Sequence, residues 1–450
     1  MSIPLETLLR DGRIDLILAR VETDSSLIEE IITLLDSEIR SIRFNSILVL
    51  GELSQKSSSA LSKLIECLED NDWSICREAV RSIGKMGNIA DKAVSELSKL
   101  IRNEEVSIRK EVAITLGKIG YSSEESISAL ITTLKDEDAE VRTEAATSLG
   151  KIGPEARESI PSLINAIRDY NWSVRIAAVN ALSEIGKGAL NALPYLLKSL
   201  EDKDWRVRKA VITTLSEMGS DVVPSLLKYL EHYNPIVRKS IIETFGEMKL
   251  PYPEIIKNLS IALHDKKKGI QGKAADALRN IGYPAIPTLI QAIDDPKKKV
   301  RSLAIWAIGG IGDEAVEAIP KLIEALKDPE SSIRVETART LGKLGNIAID
   351  AIPTLIETLN HPNKRVRIES AIALGKIGHA ASKASSTLID LLKDKKVDVR
   401  WRAVEALGEI NPDDPNVVPI LKAISEDKSD LVASAALEAL EKIEGTEIKY

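Results

Sequence analysis

The chain has 450 residues, 44% of them hydrophobic and 29% charged, with a net charge of −7. This is ordinary for a soluble folded chain, and it excludes a wholly basic nucleic-acid groove though not a local one. No apolar run approaches the ~18 residues that span a bilayer, and two cysteines, Cys67 and Cys76, are too few for a disulfide framework or a metal site.

From the N-terminus, residues 1–12 lack a basic start followed by an apolar core, so no secretory signal is expected, and a reducing, cytoplasmic location follows. Residues 1–24 read as two short helices, Pro4 to Arg10 and Ile14 to Val21, broken at Asp11-Gly12. They are expected to cap the apolar end of a stack. Beyond them a thirteen-residue phrase, clearest from Val141 to Gly153, recurs to the end of the chain. Its opening apolar residues are Ile42, Ile75, Ile108, Val141, Val174, Val207, Val237, Ile270, Val300, Ile333, Val366, Val399 and Val432, so ten of the twelve intervals are 33 residues and two are 30. A period held that tightly marks stacked supersecondary units sharing one core, and a single elongated domain.

A typical unit runs from Pro154 to Gly186. Ile160, Leu163, Ile164 and Ile167 recur at three- and four-residue spacing and predict a first helix. A recurring Asp five positions before the opening residue, such as Asp169, is expected to end the turn and cap the second helix. That helix carries small apolar residues (Ala178, Ala181) and stops at a Gly expected to be left-handed; Gly87, Gly120, Gly153 and Gly219 share the column. Pro161, Pro194, Pro224, Pro287, Pro320, Pro353 and Pro419 recur early in the first helix, which should begin after a short turn or be kinked. Leu and Ile dominate the first helices, Ala and Gly the second. The second helices should therefore approach more closely and line a concave wall.

An Arg follows the opening residue in most copies: Arg109, Arg142, Arg175, Arg208, Arg301, Arg334 and Arg367 are examples. A repeated Arg could form an anion-binding stripe. The equally periodic Asp136, Asp169, Asp202, Asp295 and Asp328 favour a structural ladder linking neighbouring repeats instead.

The Pro, Asp and Val-Arg columns, the Ala-rich second helix and the closing Gly resemble HEAT repeats, especially the HEAT-like subtype of phycobilisome bilin lyases. The resemblance covers residues 25–444. It implies an all-α, right-handed solenoid of about thirteen two-helix repeats with second helices on the concave face, and no single activity. Regular repeats are expected at 25–219, irregular ones with shortened connections at 220–312, and regular ones with a C-terminal cap at 313–450.

Chemistry finds little support. The family's di-iron hydroxylases use His-Glu pairs, whereas none of His232, His264, His361 and His379 precedes a Glu. No cofactor, metal site or catalytic residue is expected. A bilin-lyase-like enzyme is the alternative, and its distinguishing residues form no short motif. HEAT-like DNA glycosylases offer no motif to map either.

Aromatic placement is more informative. Positions two before, two after and six after the opening residue share one helix face. All five tryptophans fall in these columns: Trp73, Trp172 and Trp205 in the first, Trp401 in the second and Trp306 in the third. Ile176, Val335, Ile368 and Ile372 occupy the same stripe. Apolar residues on a face that should be wet predict a protein or peptide partner, with Trp as the anchor. The bland reading is that Trp73, Trp172 and Trp205 pack on adjacent repeats. Separately, residues 257–301 hold ten Lys or Arg against four Asp, a net of +6 that leaves −13 elsewhere. Within them Lys266, Lys267 and Lys268 recur as Lys297, Lys298 and Lys299, an alternative anion or nucleic-acid site leading into two second helices. The expectation is a non-enzymatic scaffold or adaptor.

Overall fold

A computed structural model describes residues 3–119 and 123–445. Among them every regular element is helical, and the chain divides into two units, residues 1–224 and 225–450. In the first unit, helices Leu5–Arg10 and Ile14–Thr23 turn at Gly12 (φ +67°) and pack on the second helix of the first repeat, Arg40–Leu53. The later second helices of this unit are Trp73–Met86, Val106–Ile119, Ala139–Ile152, Trp172–Ile185 and Trp205–Glu217. In the second unit they are Pro235–Met248, Lys268–Ile281, Lys298–Ile311, Ser331–Leu344, Lys364–Ile377, Val397–Ile410 and Asp430–Glu444. Within each unit each second helix lies against the next, and the short first helices, such as Ile160–Ala166, form the other layer.

Small residues set that close approach. A methyl on Gly150 would lie 3.0 Å from Ala181 Cα, and Gly117, Gly342 and Gly375 meet Ser148, Ala373 and Ala406 in the same way. Arg279 breaks the pattern, and its neighbour answers it: a methyl on Gly310 would lie 2.3 Å from Arg279 Cδ, so the missing side chain makes room for the arginine stem.

Two expectations are corrected. The closing Gly is not in the ordinary left-handed helical region: Gly153 has φ 77° and ψ −140°, and Gly186 φ 72° and ψ −136°. The chain does not stop there but passes directly into a seven-residue 3-10 helix, Gly153–Ser159 or Gly186–Ala192. Positive φ persists in this column even without glycine, at Ser54, Lys249 and Asn411; Gly120 lies outside the described residues. Pro161 follows that 3-10 turn at the start of Ile160–Ala166, where its missing N–H costs nothing. Where the period is 30, the connecting 3-10 helix shrinks to Gly219–Val222 or Tyr283–Ala285.

The second correction concerns the Asp column. Asp169 Oδ1 accepts from the Asn171 N–H at 2.8 Å, an Asx turn, and it is Asn171 that caps the second helix by accepting from the Ser173 N–H. Asp138 and Asp204 cap their helices likewise. The turn Asp sits two residues too early to cap the helix and instead faces the preceding repeat.

Candidate protein-binding face

The dyad arginine bridges three segments. Arg175 Nε and Nη2 donate to Asp202 of the next repeat at 2.7 and 2.9 Å, while Nη1 donates to the Asp169 and Tyr170 carbonyls of its own turn. Arg142 bonds Asp169 at 2.7 and 2.9 Å, Arg109 bonds Asp136 at 2.7 and 3.0 Å, and Arg301 bonds Asp328 at 2.8 and 3.1 Å. Arg367 reaches Asp394 at 2.8 Å. These pairs are largely buried, and the facing carboxylate drives the Arg109 and Arg142 guanidinium pKa values up. A fully paired arginine leaves little for a ligand.

The ladder changes hands where its column changes. Arg208 donates to the Asp202 and Lys203 carbonyls, and the next turn column holds His232 rather than Asp. Arg334 donates to the Asp328 carbonyl and faces His361, whose pKa is lowered by burial and then by the Arg334 charge. The His361 ring keeps the turn by accepting from the Asn363 N–H at 3.0 Å. Asp295 takes His264 Nε2 at 2.6 Å instead of an arginine, because Gln271 occupies the Arg column and bonds only the Asp265 carbonyl. At another gap in the Arg column, Cys76 Sγ donates to the Leu68 carbonyl. Burial, then the Asp70 charge, raises its thiol to about 11, and burial does the same for Cys67, so neither is a ready nucleophile.

On the second-helix face the aromatic columns differ in depth. Trp73, Trp172 and Trp205, the first residues of their helices, are 47, 41 and 66% exposed. Trp306, Trp401, Ile176, Val335, Ile368 and Ile372 are half-buried. Arginines rest on four of the indoles: Arg77 on Trp73, Arg206 on Trp172, Arg279 on Trp306 and Arg402 on Trp401, at 5.1, 3.5, 4.8 and 3.7 Å. From the third of these columns runs a second row of ion pairs that the sequence reading missed. Arg81 joins Glu78 and Glu111, Arg339 joins Glu336 and Glu369, and Lys273 joins Glu243. Its signal was an opposite charge thirty residues on, hidden beside the stronger 27-residue Arg-Asp spacing.

In the second unit the stripe opens at Ile372 into a depression of about 400 Å³ over the last three second helices, lined also by Gly375, Arg402, Glu405, Gly408 and Ala439. Lys266, Lys267, Lys268, Lys297, Lys298 and Lys299 are all exposed at the starts of two successive second helices, and Lys298 lies 3.7 Å from Glu330. Among the described residues no group of His, Cys, Asp and Glu is placed to hold a metal, and no helix is long and apolar enough to cross a membrane.

The family model for HEAT repeats matches residues 61–132, 94–161, 127–193, 160–232, 223–296, 286–357 and 352–441. No curated protein matches the chain. Among solved structures it is similar to the karyopherin Kap121p bound to Ste12p (17% identity, TM-score 0.60) and bound to the extreme C-terminus of the protein phosphatase Cdc14p (17%, 0.59). Each alignment covers 94% of this chain and 53% of Kap121p, so the chain spans about half of that protein's length. At this identity the likeness is one of fold. With its repeating helix pairs matched from residue 61 to residue 441, the chain belongs to the HEAT-repeat family and is an all-α solenoid.

Proposed function

We propose that the chain is a non-enzymatic, cytoplasmic scaffold or adaptor that holds a protein or peptide segment along its second-helix layer, on the concave side of the solenoid. The observation that carries this reading is the half-buried stripe of Trp306, Val335, Ile368, Ile372 and Trp401 through four successive second helices, which ends in a depression floored by glycine and alanine. Aromatic anchors beside an open, small-residue floor suit a chain laid across the helices. The Kap121p structures, bound to Ste12p and to a Cdc14p terminus, support protein binding as a use of this fold. Affinity capture with the wild-type chain and the Trp306→Ala/Trp401→Ala variant, followed by mass spectrometry, tests it. Partners retained equally by both would overturn the assigned face. Within the family, the Pro, Asp and Val-Arg columns favour the HEAT-like subtype of the phycobilisome lyases. A new absorbance band on adding a free bilin would replace the scaffold reading with a lyase-like one. The six exposed lysines favour a second reading, anion or nucleic-acid binding. Salt-sensitive binding of DNA or RNA, lost when they are changed to Glu, is its signature.

A further inference from the structure

The lysines at the starts of helices Lys268–Ile281 and Lys298–Ile311 do nothing for the fold itself. Lys267 and Lys297 stand at the caps, where Asp138, Asn171 and Asp204 each lend their own helix an acceptor and a lysine offers none. Cations there oppose the helix dipole. In other repeats the position of Lys268 and Lys298 is held by Arg40 and Lys364, which pair with Asp72 and Asp398 of the next repeat. Among the described residues, of the six lysines only Lys298 approaches a carboxylate, Glu330 at 3.7 Å. The surface beside Lys268 is also bare. Gly269 and Gly272 lie in the first two turns of their helix, and a methyl on either would meet nothing within 4 Å. The glycines inside the other second helices all abut a neighbour, with a methyl landing at 3.2 Å or closer. Glycine weakens a helix interior, and packing does not explain these two. Gly272 stands at the stripe position that holds Ile176, Val335, Ile368 and Trp401 elsewhere.

We propose that this edge binds an acidic stretch of a partner protein, with its main chain against Gly269 and Gly272 and its carboxylates on the lysines. That stretch continues the segment laid on the Trp306 stripe, so the inference rests on the protein-binding reading. Continuity comes from helix Lys298–Ile311, in which Lys298, Ser302 and Trp306 recur every four residues and share a face. A ligand that covers Trp306 meets Lys298 about two turns away. Glycine at 269 and 272 lets another main chain lie directly on the helix, where unpaired ammonium groups supply the charge that an acidic segment lacks. A protein segment fits better than a nucleic acid. The position of Lys267 and Lys297 is taken in the next repeat by Glu330, so the basic run spans two repeats and then reverses sign. A cluster of carboxylates can end there, whereas a phosphate backbone carries its charge onward. The next stripe residues, Val335, Ile368 and Ile372, are aliphatic and offer no platform for a stacked base.

The test titrates the full-length chain at low salt with fluorescein-labelled hexaglutamate and, separately, with labelled hexathymidylate, following fluorescence polarisation. Saturable binding of hexaglutamate is expected, weaker as salt rises and weaker by roughly ten-fold or more for Lys268→Glu/Lys298→Glu/Lys299→Glu. Gly269→Leu/Gly272→Leu keeps every charge, and its side chains enter open space, so it should melt no lower than the wild type. Its affinity for hexaglutamate should nevertheless fall several-fold, a loss that charge alone does not produce. Thermal melting of both variants checks the fold. No saturable binding of hexaglutamate, wild-type affinity in either variant, or tighter binding of hexathymidylate would overturn the proposal. Loss of partner capture by Trp306→Ala/Trp401→Ala alongside a failed hexaglutamate titration would leave the scaffold reading standing and remove only this site.

Discussion

Arg175 illustrates why the arginine column is structural. One side chain ties the carboxylate of the next repeat to two carbonyls of its own turn. Arg175→Ala should cost about 1–3 kcal/mol in chemical unfolding, because charge-assisted bonds vanish and Asp202 keeps only its turn N–H. Unchanged stability with binding abolished would make the arginine a ligand instead. His361 is the converse case, a turn residue set between Arg334 and Arg367 where other copies carry a carboxylate. Its pKa is depressed in the folded state by burial and by Arg334. Its contribution is therefore complete above the unfolded value of about 6.5 and is lost as pH falls below it. His361→Asp should restore an acceptor for Arg334, raise stability on the order of 1 kcal/mol at pH 7, and flatten the stability profile between pH 5 and 7. A steeper profile in the variant would contradict this. The sequence already showed the alternation of Arg and Asp, because both recur at a fixed interval. It did not show that Asn171 or Asp138, rather than Asp169 or Asp136, caps the helix. The two acceptors are two residues apart, and only backbone geometry decides which one the helix reaches.

At the scale of the helix pair, stability rests on how closely the second helices approach. Gly150→Ala would place a methyl 3.0 Å from the Ala181 backbone, which cannot yield, so a loss of about 1–3 kcal/mol is expected in denaturant melts. Gly310 is different, because the atom it would meet is the flexible stem of Arg279, which also rests on Trp306. Gly310→Ala should destabilise the wild-type background and do much less in Arg279→Ala. The double-mutant cycle should show a coupling of about 0.5–3 kcal/mol, and additive effects would deny the contact. The helices were legible from their three- and four-residue periodicity, as was the early proline. The 3-10 helices were not. Gly153–Ser159 carries no periodic apolar face, and its geometry follows from the unusual ψ at Gly153, for which sequence gives only the glycine. Asn411 and Lys249 take positive φ in the same column without that signal.

For the whole chain, the 33-residue period made the repeat family readable, because every copy votes for the same architecture. A binding site has no such redundancy. Trp306 and Trp401 stood out only as apolar residues in columns that are otherwise polar, and their half-buried state beside the depression at Ile372 required coordinates. Truncating an aromatic anchor typically costs about 2 kcal/mol or more of binding, whereas residues outside the core affect folding little. The decisive measurement is therefore made on one variant, Trp306→Ala/Trp401→Ala, with partner capture and melting temperature read side by side against the wild type. The account predicts that capture falls at least ten-fold while the melting temperature stays within about 1 °C, an effect on folding of no more than about 1 kcal/mol for a chain of this size. Capture undiminished, together with a large fall in melting temperature, would show that these tryptophans hold the repeats together and bind nothing.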